Sequence, residues 1–433
     1  MRKIIILTLL LILIVFSSNI SLPSVYAEKH IVKNVPYYPM HTAICAIKAL
    51  QMILAYYGYE YPIELLVQLG GWDYGIWYSK QYHFGYGGDI YPIVAASFAA
   101  KLLGFSCQHK VFTKWDEAWS WLKIQLNNNT PVFIEVQGHS IVAVGYDEDT
   151  GVIYIHDPSG GICSWKTLVE FEALNISIDK RFRDYILNIS IRKGYGGYME
   201  LSLNYFKNWW KWMGRYEALL IKPKKPVTNI EHLDWPSLLE RIASITIYGS
   251  WDPQNTGMKG YENLIEDFKS YLPRAGKDHL MLIKQTVFDI ARDRRHNAAA
   301  FLTGLAQSYN LTDLLRVAWF FERASDEYGY ASTLLAYMIK NYNYKSLVKE
   351  TASRIIKHIE KAKEYEYKAG KLLFKVAKEL RQKIEAERTK ETVRPHEEAK
   401  AIQTQYLCIG LTIGFVGGVT VMLAYTKRAK KAK

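Results

Sequence analysis

The chain has 433 residues, 49% of them hydrophobic and 14% aromatic, which is ample for a core and suggests two or three folded units. Its formal net charge is +13, yet the excess lies partly in the last residues and partly in the Lys-rich stretch after Ser346, without any base-reading motif; no nucleic-acid partner is expected. Cys45, Cys107, Cys163 and Cys408 include no CxxC pair, which argues against a disulfide scaffold and a metal site, and no cofactor is implied.

The first 27 residues have the layout of a secretory signal peptide. Two basic residues precede an apolar run from Ile4 to Phe16, and a polar stretch ends in Val25-Tyr26-Ala27. The run is short for a spanning helix, which favours cleavage over an uncleaved anchor. "NVPYYPMHTAICAIKALQMILAYYGYEYP", from Asn34 to Pro62, reads as a short extended segment and then an amphipathic helix with Cys45 at its mouth. Residues 89–104 and Trp115 to Leu126 give two further helices by apolar spacing. "TPVFIEVQ", "GHSIVAVGYD" and "GVIYIHDP" then read as strands, with hairpin chemistry in "DEDTG". "YEALLIKP" near 216–223 adds another strand. Helices followed by antiparallel strands make residues 28–222 an α+β domain.

Pro223-Lys-Lys-Pro226 marks a boundary, and 227–388 reads as an all-α region. Its last helix is long and heavily charged, suited to the outside of a bundle or to a stalk. "DRRH" at 293–296 reads as a solvated helix face. A polar linker at 389–405 leads to Tyr406–Tyr425, an uncharged stretch of spanning length, and then to a basic tail at 426–433. Lys427, Arg428, Lys430, Lys431 and Lys433 place that tail in the cytoplasm and the bulk of the chain outside the cell. This predicts a single-pass cell-membrane protein with one C-terminal transmembrane helix. Gly410, Gly414 and Gly418 share one face of that helix, a spacing that permits a homodimer.

Three residues carry the chemistry. A cysteine at a helix N-terminus faces unpaired N–H groups and the positive end of the dipole, which favours thiolate; a small buried apolar residue is the alternative reading of Cys45. His139 heads one strand and Asp157 ends the next. If Gly145 faces Gly151 and Ile141 faces Ile155, then His139 faces Asp157, giving the thiol a base and an orienting carboxylate. Ordinary turn chemistry in "DPSG" is the competing account of Asp157. His156 points to the other face and reads as structural. The glycine-rich "HFGYGGD" at 83–89 reads as a rim loop, and Trp209, Trp210 and Trp212 as an aromatic packing cluster. Cys107 and Cys163 leave one disulfide open, with Cys45 the odd soluble thiol.

"VPYYPMHTAICAIKALQMILAYYGY" followed by "GHSIVAVGYDEDTGVIYIHDPSG" resembles the papain-like group that includes the bacteriocin-processing, double-glycine-leader cysteine peptidases. The resemblance implies Cys45, His139 and Asp157 as catalytic triad. "AYYGYEYPIELLVQLGGWDYGIWY" resembles the butirosin biosynthesis protein H-like N-terminal domain, whose Cys and His serve acyl transfer. "GMKGYENLIEDF" and "RHNAAAFLTGLA" are similar to the helical region behind that domain. The peptidases carry an oxyanion-donating Gln six residues before the Cys; here that position is Pro39, which has no donor. The Cys45 N–H, alone or with Gln137 or His41, is left to serve. The resulting expectation is an extracytoplasmic, membrane-anchored papain-like cysteine enzyme acting on a peptide or protein substrate. An acyltransferase or transpeptidase, and a catalytically weak peptide-binding module, are the alternatives.

Overall fold

The structure, a computed structural model, describes residues 29–39, 44–88, 91–159, 199–212 and 214–391. Residues 1–27, expected as a signal peptide, together with His41, Cys163, the stretch at 406–425 with its three glycines, and the basic tail, lie outside the described residues. Among the described residues no helix is long and apolar enough to cross a membrane.

The chain opens with a short strand β1 (Lys29–Ile31), then helices α1 (Cys45–Tyr56) and α2 (Ile63–Gly70). α1 buries Ile47, Leu50, Ile53 and Leu54, the face that its apolar spacing prescribes. α2 starts after Pro62 and stops at Gly71, which caps it in the left-handed conformation. A small hairpin follows, β2 (Trp77–Ser79) and β3 (Phe84–Tyr86). β3 corrects the reading of residues 83–89 as loop throughout. Next come α3 (Pro92–Leu102), β4 (Phe105–Phe112) and α4 (Trp115–Asn127). β4 carries no clean alternation of apolar residues, which hid it in the sequence.

The central hairpins are β5 (Val132–Val136), β6 (His139–Asp147) and β7 (Val152–His156). β8 (Met199–Ser202), α5 (Leu203–Trp210), β9 (Lys211–Trp212) and β10 (Arg215–Pro223) complete the α+β part. The sheet runs β4-β10-β5-β6-β7-β8, with β1 on β6 and β9 on β10, every pairing antiparallel. β6 is shared: His139 to Ala143 pair with β5, and Gly145 to Asp147 with β1. The β1 backbone crosses so close to Gly145 that an added Cβ would lie 2.5 Å from the His30 carbonyl oxygen. β5 and β6 are buried along their whole length, as a strand covered on both faces must be.

The helical half comprises α6 (Trp235–Tyr248), α7 (Gly257–Ser270), α8 (Lys277–Ile283), α9 (Ile290–Tyr309), α10 (Thr312–Lys340) and α11 (Lys345–Glu391). α11 runs past 388 into the stretch expected to be linker. It packs along α10, α6 and α7 as the outer helix of a bundle. The two halves share their cores. Leu238, Leu302, Leu314 and Leu373 belong to the same buried cluster as β5 and β6, and Tyr78 and Phe84 of the β2–β3 hairpin sit in the core of the bundle.

The reading of 293–296 as a solvated face is overturned. Asp293 and His296 are exposed, but Arg294 is only 6% accessible and Arg295 0%. Arg295 pairs with Glu366 on α11 through Nε at 2.6 Å. It also donates to the carbonyls of Asp73 at 2.9 Å and Gly87 at 3.0 Å, and to that of Gly75. A buried guanidinium persists because every donor finds an oxygen.

Candidate active site

Cys45 is the first residue of α1, where the helix has no side-chain cap. The segment before it is anchored on the end of β7. The Tyr37 hydroxyl donates to the Asp157 carbonyl at 3.0 Å, and His156 Nδ1 donates to the Pro36 carbonyl at 3.3 Å.

His139 follows the two-residue turn Gln137-Gly138, in which Gly138 takes the positive φ of 69° that glycine tolerates best. The β6–β7 register differs from the expected one. Ala143, not Ile141, faces Ile155, and Gly145 faces Tyr154. Near the turn the pairing is displaced by three residues, and a β-bulge between Ala143 and Gly145 takes up one of them. The remaining displacement is two, an even number, so His139 and Asp157 still share a face as diagonal neighbours. Without the bulge Asp157 would stand opposite Val142 and point away from the imidazole.

The gap is closed by side chains. His139 Nε2–H donates to Asp157 Oδ1 at 2.7 Å, with His139 and Asp157 each 2% accessible. Ser159 secures the carboxylate from the other side, its N–H at 2.8 Å and its Oγ at 2.7 Å from the same oxygen. Trp209 stacks on the imidazole at 6.2 Å between centroids. Burial works against the Asp157 carboxylate, but the His139 charge and hydrogen bond and the Ser159 donors hold its pKa below the usual value.

β7 stops opposite Val142, so the first residues of β6 reach beyond it. Burial disfavours a Cys45 thiolate. The nearby His139 ring and the N–H groups of Ser140 and Ala46 outweigh burial and bring the thiol below its ordinary pKa of 9.0. At Cys107, on β4, burial prevails over Ser97 and Lys101 and pushes the thiol up to about 11. The two free thiols therefore differ in chemistry as well as place.

The structure thus brings Cys45, His139 and Asp157 together. Gln137 stays in the turn, with its backbone N–H on the Trp209 carbonyl at 3.1 Å. His156 lies buried on the opposite face of β7, its pKa lowered to about 4 by burial. Trp209 and Trp210 pack inside the fold. Among the described residues no cluster of His, Cys, Asp or Glu is arranged to hold a metal ion. Sequence reasoning missed two neighbours. Ser159 was hidden in turn chemistry. Glu135, the one charge in the buried run "VFIEV", was a visible signal that went unused.

A search of curated proteins gives no match to the chain. Residues 32–173, which include Cys45, His139 and Asp157, match the model of the Peptidase_C39 like family, and over that stretch the match supports a papain-like, cysteine peptidase-like group.

Proposed function

We propose that the protein is a membrane-anchored, extracytoplasmic cysteine peptidase of papain-like kind. Cys45 is its nucleophile, His139 its base and Asp157 the group that orients the imidazole. The observation that carries the reading is a buried imidazole tied by Nε2 to Asp157 at 2.7 Å while the same ring favours the thiolate at the head of α1. In the first step the Cys45 sulfur bonds to the substrate carbonyl carbon and the carbonyl π pair moves to oxygen. That oxyanion is received by the Cys45 N–H at the helix mouth, since Pro39 offers no donor. As the C–N bond breaks, the imidazolium gives its proton to the leaving amine, and a thioester remains. His139 then takes a proton from water, whose oxygen replaces the sulfur. With an amine in place of water the same steps make an acyltransferase or transpeptidase.

The secretory layout of residues 1–27 and the uncharged stretch at 406–425 support an anchored, exported placement. A peptide or protein substrate outside the cell follows from that placement, and the spacing of Gly410, Gly414 and Gly418 permits a homodimer. Pro39 favours a second reading, a peptide-binding module with weak catalysis. Iodoacetamide labelling of the intact protein across pH 6–9 separates the readings. An activated Cys45 labels well below pH 8, and His139→Ala slows it roughly tenfold or more. Labelling at the rate of an ordinary thiol, unmoved by His139→Ala, removes the enzyme reading.

A further inference from the structure

Beneath Cys45 two glutamates lie side by side in the sheet. Glu135 of β5 and Glu217 of β10 are directly paired in the ladder, so their side chains share a face. Their accessibilities are 5% and 0%. The face is the one that carries α1 and α3, because the hydroxyl of Tyr91, just before α3, reaches Glu217 Oε2 at 2.7 Å. Ser140 ties the pair to the nucleophile. Its Oγ donates to Glu135 Oε2 at 2.8 Å, and its backbone N–H is among the groups that favour the Cys45 thiolate.

The partners of the two acids are unequal. Glu217 accepts from Tyr91, from His109 Nε2 at 2.7 Å and from Arg215 Nε. Ser140, a neutral donor, is the hydrogen-bond partner of Glu135 among the described residues. Two adjacent buried carboxyls do not both ionise, and the charge settles where cations and donors meet it. We infer that Glu135 and Glu217 form a one-charge acid pair in which Glu217 carries the charge and Glu135 stays undissociated, and that this arrangement keeps a negative charge away from the Cys45 sulfur.

The remaining charges agree. Burial, Cys45 and Glu217 push Glu135 well above the usual carboxylate range, against the Ser140 hydrogen bond and the His139 charge. Burial opposes ionisation of Glu217, but His109, Tyr91 and Arg215 hold it below that range. From the helical half, Arg294 adds a distant attraction for the Cys45 thiolate. Asp157 is neutralised by its ion pair with His139 at 2.7 Å. Glu217 is therefore the positioning residue: by retaining the charge it leaves Glu135, the acid nearer Cys45, neutral. This rests on the thiolate reading of Cys45 but not on turnover.

The test is the pH profile of Cys45 alkylation by iodoacetamide in the full chain. Glu217→Gln hands the charge to Glu135, raises the midpoint by about one pH unit and slows labelling at pH 7 roughly tenfold. Glu135→Gln leaves the midpoint where it was, and the double variant returns it to the parent value or below. His109→Ala, on a more exposed strand, raises the midpoint by a smaller step and serves if Glu217→Gln does not fold. An unmoved midpoint in both Glu217→Gln and His109→Ala overturns the inference. So does a double variant that stays shifted, or a Glu135→Gln variant whose midpoint falls. If the parent itself labels as an ordinary thiol, the proposed function fails instead, which is a separate result.

Discussion

At the scale of single residues, the site depends on hydrogen bonds with no slack. Asp157→Asn keeps the shape and removes the charge that balances the imidazolium, so alkylation of Cys45 at pH 7 should fall at least tenfold. Ser159→Ala removes one of the two Ser159 donors on Asp157 and leaves the backbone N–H at 2.8 Å. Its effect should be smaller, about two- to fivefold in the same assay. His156 makes a different prediction. Its folded pKa of about 4 lies below the ordinary 6.5, so between those values the unfolded chain binds more protons. Stability is therefore complete above about pH 6.5 and declines as pH falls towards 4, by about 3 kcal/mol in all. Urea midpoints measured from pH 4 to 7 should lose that slope in His156→Gln; an unchanged slope would place the proton elsewhere. Cys45, His139 and Asp157 were legible as candidates because each stands at an element boundary with a residue type suited to the task. Glu135 was equally visible in a run of aliphatics, but its meaning depends on Glu217, which lies 82 residues away in the chain and beside it in the sheet.

At the scale of elements, the hairpins do the positioning. Gly138 turns the chain in the left-handed region immediately before His139. Gly138→Ala should cost about 1–2 kcal/mol in urea unfolding and should slow Cys45 labelling as the imidazole shifts. Normal stability and normal labelling together would show that the turn is not under this constraint. The β6–β7 register was expected with His139 directly opposite Asp157, and the chain adopts a displaced one. Alternating hydrophobicity specifies which residues face inward but leaves even displacements nearly equivalent in burial. The bulge at Val144 could not be read from composition, because it answers to β1, which crosses at Gly145 and comes from the start of the described chain. The helices α1, α3 and α4 were legible from apolar spacing, whereas β4 and the β2–β3 hairpin lack that signal.

At the scale of the whole molecule, the helical half is joined to the site-bearing half by buried polar contacts as well as by a common core. Arg295 of α9 meets Glu366 of α11 and the carbonyls of Asp73 and Gly87, with both charged side chains fully buried. The Tyr328 hydroxyl adds a contact to Glu366 at 3.3 Å. Glu366→Ala leaves the guanidinium uncompensated and should cost about 3–5 kcal/mol in chemical unfolding. A cost below 1 kcal/mol would mean that water or another carboxylate replaces Glu366. Residues 28–222 expressed alone should fail to give a soluble protein with native near-ultraviolet dichroism, since the cluster they share with α6, α9, α10 and α11 would lose part of its cover.

The sequence by itself determined the α+β order of elements, the helical character of the second half, and the three residues worth watching. Those features are local: apolar spacing, turn residues and the chemistry of a helix mouth are written in neighbouring positions. The tertiary structure decided the displaced register, the burial of Arg294 and Arg295, and the pairing of Glu135 with Glu217. Each of these depends on which distant segment supplies a counter-charge, a donor or a covering surface, and no window of consecutive residues contains that information.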